Sequence, residues 1–173
     1  MRTLILGLGN PILGDDSIGW KVVEQVKDLW INNDQFRNNA HENQGKNLEF
    51  ECYSLGGISL MENLIGFDRV WIVDAIHTGK YPVGTIVCER LENFQEIPSG
   101  HLTSTHDMTL QTALELGRFI GAQLPTDITV IGVEANIDME FSELLSAPLR
   151  NAFPEVVTKV FALIQQEATY DLS

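Results

Sequence analysis

Cysteine is scarce in this sequence: of 173 residues only Cys52 and Cys88 are cysteines. They stand far apart in apolar runs (EFECYSL and TIVCERL), with no CxxC or zinc-ligand spacing. Count and spacing argue against a disulfide framework or a structural zinc site and for core or sheet thiols in a reducing cytoplasm. Basic residues are also few, 11 Lys+Arg against 24 Asp+Glu, a formal net charge of −13. Nucleic-acid binders carry Lys/Arg patches that displace counterions from phosphates, whereas these cations are scattered from Arg2 to Lys159. A nucleic acid and an anionic membrane surface are therefore disfavoured as partners. No stretch approaches the ~18 uninterrupted apolar residues of a membrane helix. The opening MRTLILGLGN enters a strand-like run directly, without the apolar region and cleavage site of a signal peptide. A cytoplasmic protein is expected.

What is present is a globular composition, 44% hydrophobic and 20% charged. A chain near ~150 residues buries about 70% of its unfolded surface, enough for one core without covalent staples. There is no internal repeat, so a single domain over residues 1–173 is expected. It carries a polar, Asn-rich surface insertion near residues 31–47, read as exposed and remote from the chemistry. The short apolar run 3–7, stopped by glycine, reads as a strand buried on both faces. Asp15-Asp16 should open a helix, because carboxylates suit the positive end of its dipole; Ile18, Val22, Val26 and Leu29 follow at helical spacing. Strands are expected at 48–54, 69–74, 84–91 and 127–134, with helices near 58–65, 106–120 and from Ser146 or Pro148 to about Glu167. Pro154 should kink the last of these. The run 84–91 follows the third strand too closely for a crossover helix, so it is expected to run antiparallel to that strand, at an edge. Alternating strands and helices predict an α/β fold, a three-layer αβα sandwich around a mainly parallel, twisted five-stranded sheet with one antiparallel edge strand.

In such sheets ligands bind beyond the carboxyl ends of the strands. Asp16 opens the helix after strand one, Asp74 ends strand three, and His106 begins a later helix. Two carboxylates and an imidazole suit a borderline divalent ion such as nickel, zinc or iron, and three protein ligands leave positions open for water or substrate. Taken singly, Asp16 reads as a dipole-stabilising helix start, Asp74 as a turn residue and His106 as a capping or surface histidine; together at one sheet edge they make a metal-site candidate. Familiar alternatives are missing. GLGNPILG lacks the third glycine of the dinucleotide fingerprint, and no acidic residue ends the second strand to hold a ribose. No GK[ST] follows, and there is no GxSxG nucleophile motif.

Gly7-Leu8-Gly9-Asn10 with Gly14-Asp15-Asp16-Ser17-Ile18-Gly19 resembles the opening of the nickel–iron hydrogenase maturation endopeptidases. Ile72-Val73-Asp74-Ala75, Ser104-Thr105-His106-Asp107-Met108 and Ile131-Gly132-Val133-Glu134 match further along, in the same order and spacing. The resemblance implies an endopeptidase, often classed as aspartic-type, that removes a C-terminal peptide from the hydrogenase large-subunit precursor after nickel insertion. It carries the metal-ligand roles onto Asp16, Asp74 and His106, with nickel supplied by the substrate, so that the enzyme alone is metal-free or holds another divalent ion. Asp16 and Asp74 are then the candidate catalytic groups. Gly56-Gly57 falls where the family's substrate loop has an acidic residue before its glycine pair; here Leu55 precedes it. That departure leaves the class of hydrogenase served open. A monomer acting on the precursor is expected.

Two other readings bear weighing. Peptidyl-tRNA hydrolases share the GLGNP opening, but their catalytic histidine has no counterpart in GDDSIGWKVVEQV, and the charge of −13 opposes gripping tRNA. A non-catalytic nickel-sensing assembly factor would use the same ligand set without cutting, since ligands alone do not make a mechanism.

Overall fold

The computed structural model describes residues 1–33, 47–96, 108–136 and 141–170. Among these residues, five strands are β1 (Arg2–Leu8), β2 (Asn47–Tyr53), β3 (Arg69–Ile76), β4 (Ile86–Arg90) and β5 (Asp127–Glu134). Among the described residues, four helices are α1 (Ile18–Ile31), α2 (Gly57–Asn63), α3 (Leu110–Phe119) and α4 (Ala147–Tyr170), with 3-10 helices at Gly14–Ser17 and Leu91–Glu96. The sheet order is β2-β1-β3-β5-β4. The first four strands in that order are mutually parallel, and β4 runs antiparallel to β5 at the edge.

Strand pleating sends alternate side chains to opposite faces, and two cores follow from it. Ile5, Trp71, Val73, Ile131 and Val133 pack with Ile18, Val22 and Val26 of α1 and Leu149, Val156 and Val160 of α4. Leu4, Leu6, Val70, Ile72 and Val130 pack on the other face with Leu60 and Leu64 and with Leu110, Ala113 and Leu114 of α3. The expected three-layer α/β sandwich around a mainly parallel sheet is thus observed.

The expected antiparallel edge strand is observed. β4 runs antiparallel to β3 and lies at the edge, where its ladder partner is β5, with Val87 opposite Gly132. β3 is already flanked by β1 and β5, so no ladder position remains for β4 beside it. The helix expected from residue 106 starts later, at Leu110. Thr109 is extended (φ −62°, ψ 153°) and its hydroxyl accepts the Thr112 N–H, an N-cap that defines the start. α4 runs on through Pro154 to Tyr170. Of the insertion expected near 31–47, residues 34–46 lie outside the described residues, as does His106. Among the described residues no helix is long and apolar enough to cross a membrane.

Candidate functional site at the carboxyl edge of the sheet

Two glycines let the chain converge at the carboxyl ends of β1 and β3. A Cβ on Gly19 would collide with the carbonyl oxygens of Leu8 and Val73, and one on Gly7 would lie 2.6 Å from the Gly19 oxygen. Only bare backbone allows α1 to press this closely onto both strands. The 3-10 helix Gly14–Ser17 is thereby seated over the strand ends, and with it Asp16. Asp16 is 5% exposed, and its Oδ2 accepts the Asn10 N–H at 2.8 Å. That bond closes the loop after β1 upon itself. The loop is tied from the other side by Gly9 N–H to Tyr53 O (3.2 Å) and Ser54 Oγ to Gly9 O (2.6 Å).

Asp74 lies one residue beyond the last β1–β3 pair and opposite Gly132 of β5. It is fully buried, and its Oδ1 accepts the N–H of Ala75 at 2.9 Å. Strand parity places it with Val70, Ile72 and Ile76 on the face covered by α2 and α3. A Cβ on Gly132 would come within 2.9 Å of Ile76 and Phe94 side-chain atoms, which explains a glycine in mid-strand.

The Gly56-Gly57 turn meets the segment leading into α3. Gly57 has φ +52°, and a Cβ there would lie 2.7 Å from the carbonyl oxygen of Met108. The glycine pair therefore abuts a residue two positions after His106. Among the described residues no group of three His, Cys, Asp or Glu side chains is gathered to hold a metal, and the third member of the expected set, His106, lies outside them. The structure thus places Asp16 and Asp74 at one edge, on adjoining elements, with the Gly56-Gly57 turn against the approach to residue 106.

Two further carboxylates there have structural duties. Asp15, 4% exposed, receives the Ser146 N–H at 2.6 Å and the Ser146 Oγ–H at 2.7 Å, and the Ser146 Oγ in turn accepts the Leu149 N–H at 3.4 Å. A carboxylate and a hydroxyl together cap the N-terminus of α4, where the dipole favours negative charge. Glu134 at the end of β5 accepts the N–H groups of Thr78 and Gly79 (both 2.9 Å) and the Thr78 hydroxyl (2.7 Å), fixing the chain that leaves β3. The sequence reads Asp15 as part of a helix opening, and its bonds to Ser146 add a second role. The signal available was the Ser146-Ala147-Pro148 helix start, whose cap has no partner visible in the local sequence.

Comparison with known proteins adds to this geometry. The hydrogenase maturation protease family profile matches residues 55–163. The chain is 29% identical over 133 residues to the hydrogenase 2 maturation protease of Escherichia coli K12, covering 77% of this chain and 73% of that protein. It is 26% identical over 157 residues to the hydrogenase expression/formation protein HupD of Rhizobium leguminosarum bv. viciae, covering 90% and 70%. The solved structure of the hydrogenase maturating endopeptidase HybD from E. coli superposes with a TM-score of 0.70 at 26% identity, covering 96% of this chain and 94% of that one. This chain belongs to the hydrogenase maturation protease family, a family of endopeptidases that hydrolyse peptide bonds.

Proposed function

We propose that this endopeptidase removes the C-terminal extension of a nickel–iron hydrogenase large-subunit precursor after nickel has been inserted. Asp16, Asp74 and His106 are the groups that meet the nickel carried by the precursor. The metal then arrives with the substrate, and the enzyme needs none of its own. The observation that carries this reading is the burial of two carboxylates, Asp16 and Asp74, supplied by separate elements at one sheet edge. Taking a carboxylate out of water is costly unless hydrogen bonds or a cation compensate. Asn10 N–H and Ala75 N–H orient the two groups. Oxygen ligands joined by an imidazole nitrogen match a borderline divalent ion.

Nickel bound to the precursor supplies Lewis acidity, polarising the scissile carbonyl or a water. The chain's own part is to orient the carboxylates and to accept a proton from the attacking water at Asp16 or Asp74. Gly56-Gly57 lies beside the incoming peptide, as a turn packed against the Met108 carbonyl. Cleavage becomes a readout of correct loading, because an unloaded precursor brings no cation to the edge. The enzyme acts as a monomer in the cytoplasm. Asp74→Asn and His106→Ala are expected to slow shortening of nickel-loaded precursor by ~100-fold or more, read by intact mass, with unchanged circular dichroism. Wild-type rates in both variants would overturn the ligand set.

A further inference from the structure

We propose that a preformed apolar lip beside Asp16 docks the folded body of the precursor, next to the extension to be cut; this rests on the function proposed above. The lip consists of residues 10–14 and 141–145. Gly14 N–H donates to Ser142 O (2.6 Å) and Ser142 N–H to Ile12 O (2.9 Å), a short parallel bridge. The Ser142 Oγ bonds both the carbonyl oxygen and the N–H of Leu144 (3.0 and 3.1 Å), which sets a tight turn. Leu145 is buried in the α1/α4 core, so the turn holds Leu144 outward. Ile12, Phe141 and Leu144 are 46%, 84% and 69% exposed.

Large apolar side chains held in water by a fixed backbone gain only when something covers them. The lip ends at Gly14, where the 3-10 helix bearing Asp16 begins, and the clamp between Asp15 and Ser146 locks its far end to the same helix. A partner whose peptide bond reaches Asp16 therefore passes over Ile12, Phe141 and Leu144. A specific interface needs ~800 Å² per partner, far more than two carboxylates and a glycine turn present. The occupant is thus an apolar surface of the precursor that flanks its C-terminal extension. Other exposed apolar residues, Phe119 (88%) and Ile120, end α3. They lie toward the amino edge, where Gly66 N–H bonds Gln123 O and Arg2 reaches Gly66 O, and they serve as the control.

The test measures both binding and cleavage of nickel-loaded precursor by the full-length protein. The double variant Phe141→Ser/Leu144→Ser, and separately Ile12→Ser, are expected to raise Kd and KM ~10-fold or more, with kcat within about twofold. Phe119→Ser is expected to leave all three unchanged. Wild-type Kd in the lip variants, or an equal loss in Phe119→Ser, would overturn the docking surface. Absence of wild-type binding would overturn it too. Wild-type binding without cleavage would instead refute the proposed function, while the Kd comparison still decides the lip. Sedimentation showing that the double variant only dissociates a wild-type dimer would assign the lip to a second copy and contradict the proposal.

Discussion

Asp15 and Asp16 are adjacent in sequence, both buried, and held by different partners. Asp15 is bonded to Ser146 across the fold, whereas Asp16 is bonded within its own loop. Asp15→Asn replaces a charge-assisted pair by a neutral one and is expected to cost about 1–3 kcal/mol of stability, read as a lower denaturation midpoint. Asp16→Asn is expected to abolish cleavage with a smaller change in that midpoint. Equal destabilisation with cleavage intact in Asp16→Asn would contradict the division. No local pattern separates these residues, because the partner that distinguishes them is 131 positions away from Asp15. The cysteines illustrate the reverse. Burial, with the Glu24 carboxylate next in weight, pushes the Cys52 thiol up to about 12 from its usual 9.0, while Cys88 is exposed on β4. At pH 8 a maleimide is expected to modify Cys88 and spare Cys52, since only the thiolate reacts. Because the folded value exceeds the unfolded one, the Cys52 contribution to stability is complete below about pH 9 and is lost as pH rises toward 12.

Glycine decides how the elements meet. Gly57→Ala would place a Cβ 2.7 Å from the Met108 carbonyl at φ +52°. A non-glycine residue in that region costs about 1–2 kcal/mol, and the added Cβ displaces Met108. The variant is expected to lose cleavage by more than its stability loss explains, measured as activity per folded molecule. Unaltered specific activity would contradict a functional role for the turn. The elements themselves were largely legible. Continuous apolar runs at β1, β3 and β5 marked buried parallel strands, and helical spacing marked α1, α3 and α4. The direction and edge position of β4 were legible from its short link to β3, but its ladder partner was not, since β5 enters the sheet only after α3. The start of α3 was misplaced because His106 resembled a helix opener, while the Thr109 hydroxyl makes the cap.

At the scale of the molecule, charge is sorted along the strands. Arg2 pairs with Glu49, and Arg69 and Arg90 with Asp127, all toward the amino edge of the parallel strands. The carboxyl edge collects Asp15, Asp16, Asp74 and Glu134, all buried. The sequence charge of −13 already disfavoured a nucleic-acid partner, but only the fold shows which acids stand together, and that Asp15 and Glu134 are occupied structurally. An edge with two buried, oriented carboxylates suits a partner that brings its own positive charge. The decisive measurement is intact mass of the large-subunit precursor after incubation with the purified protein, in parallel nickel-loaded and nickel-free arms. The account predicts loss of the C-terminal extension in the loaded arm and none in the unloaded arm. Equal shortening in both arms, or in neither, would contradict it.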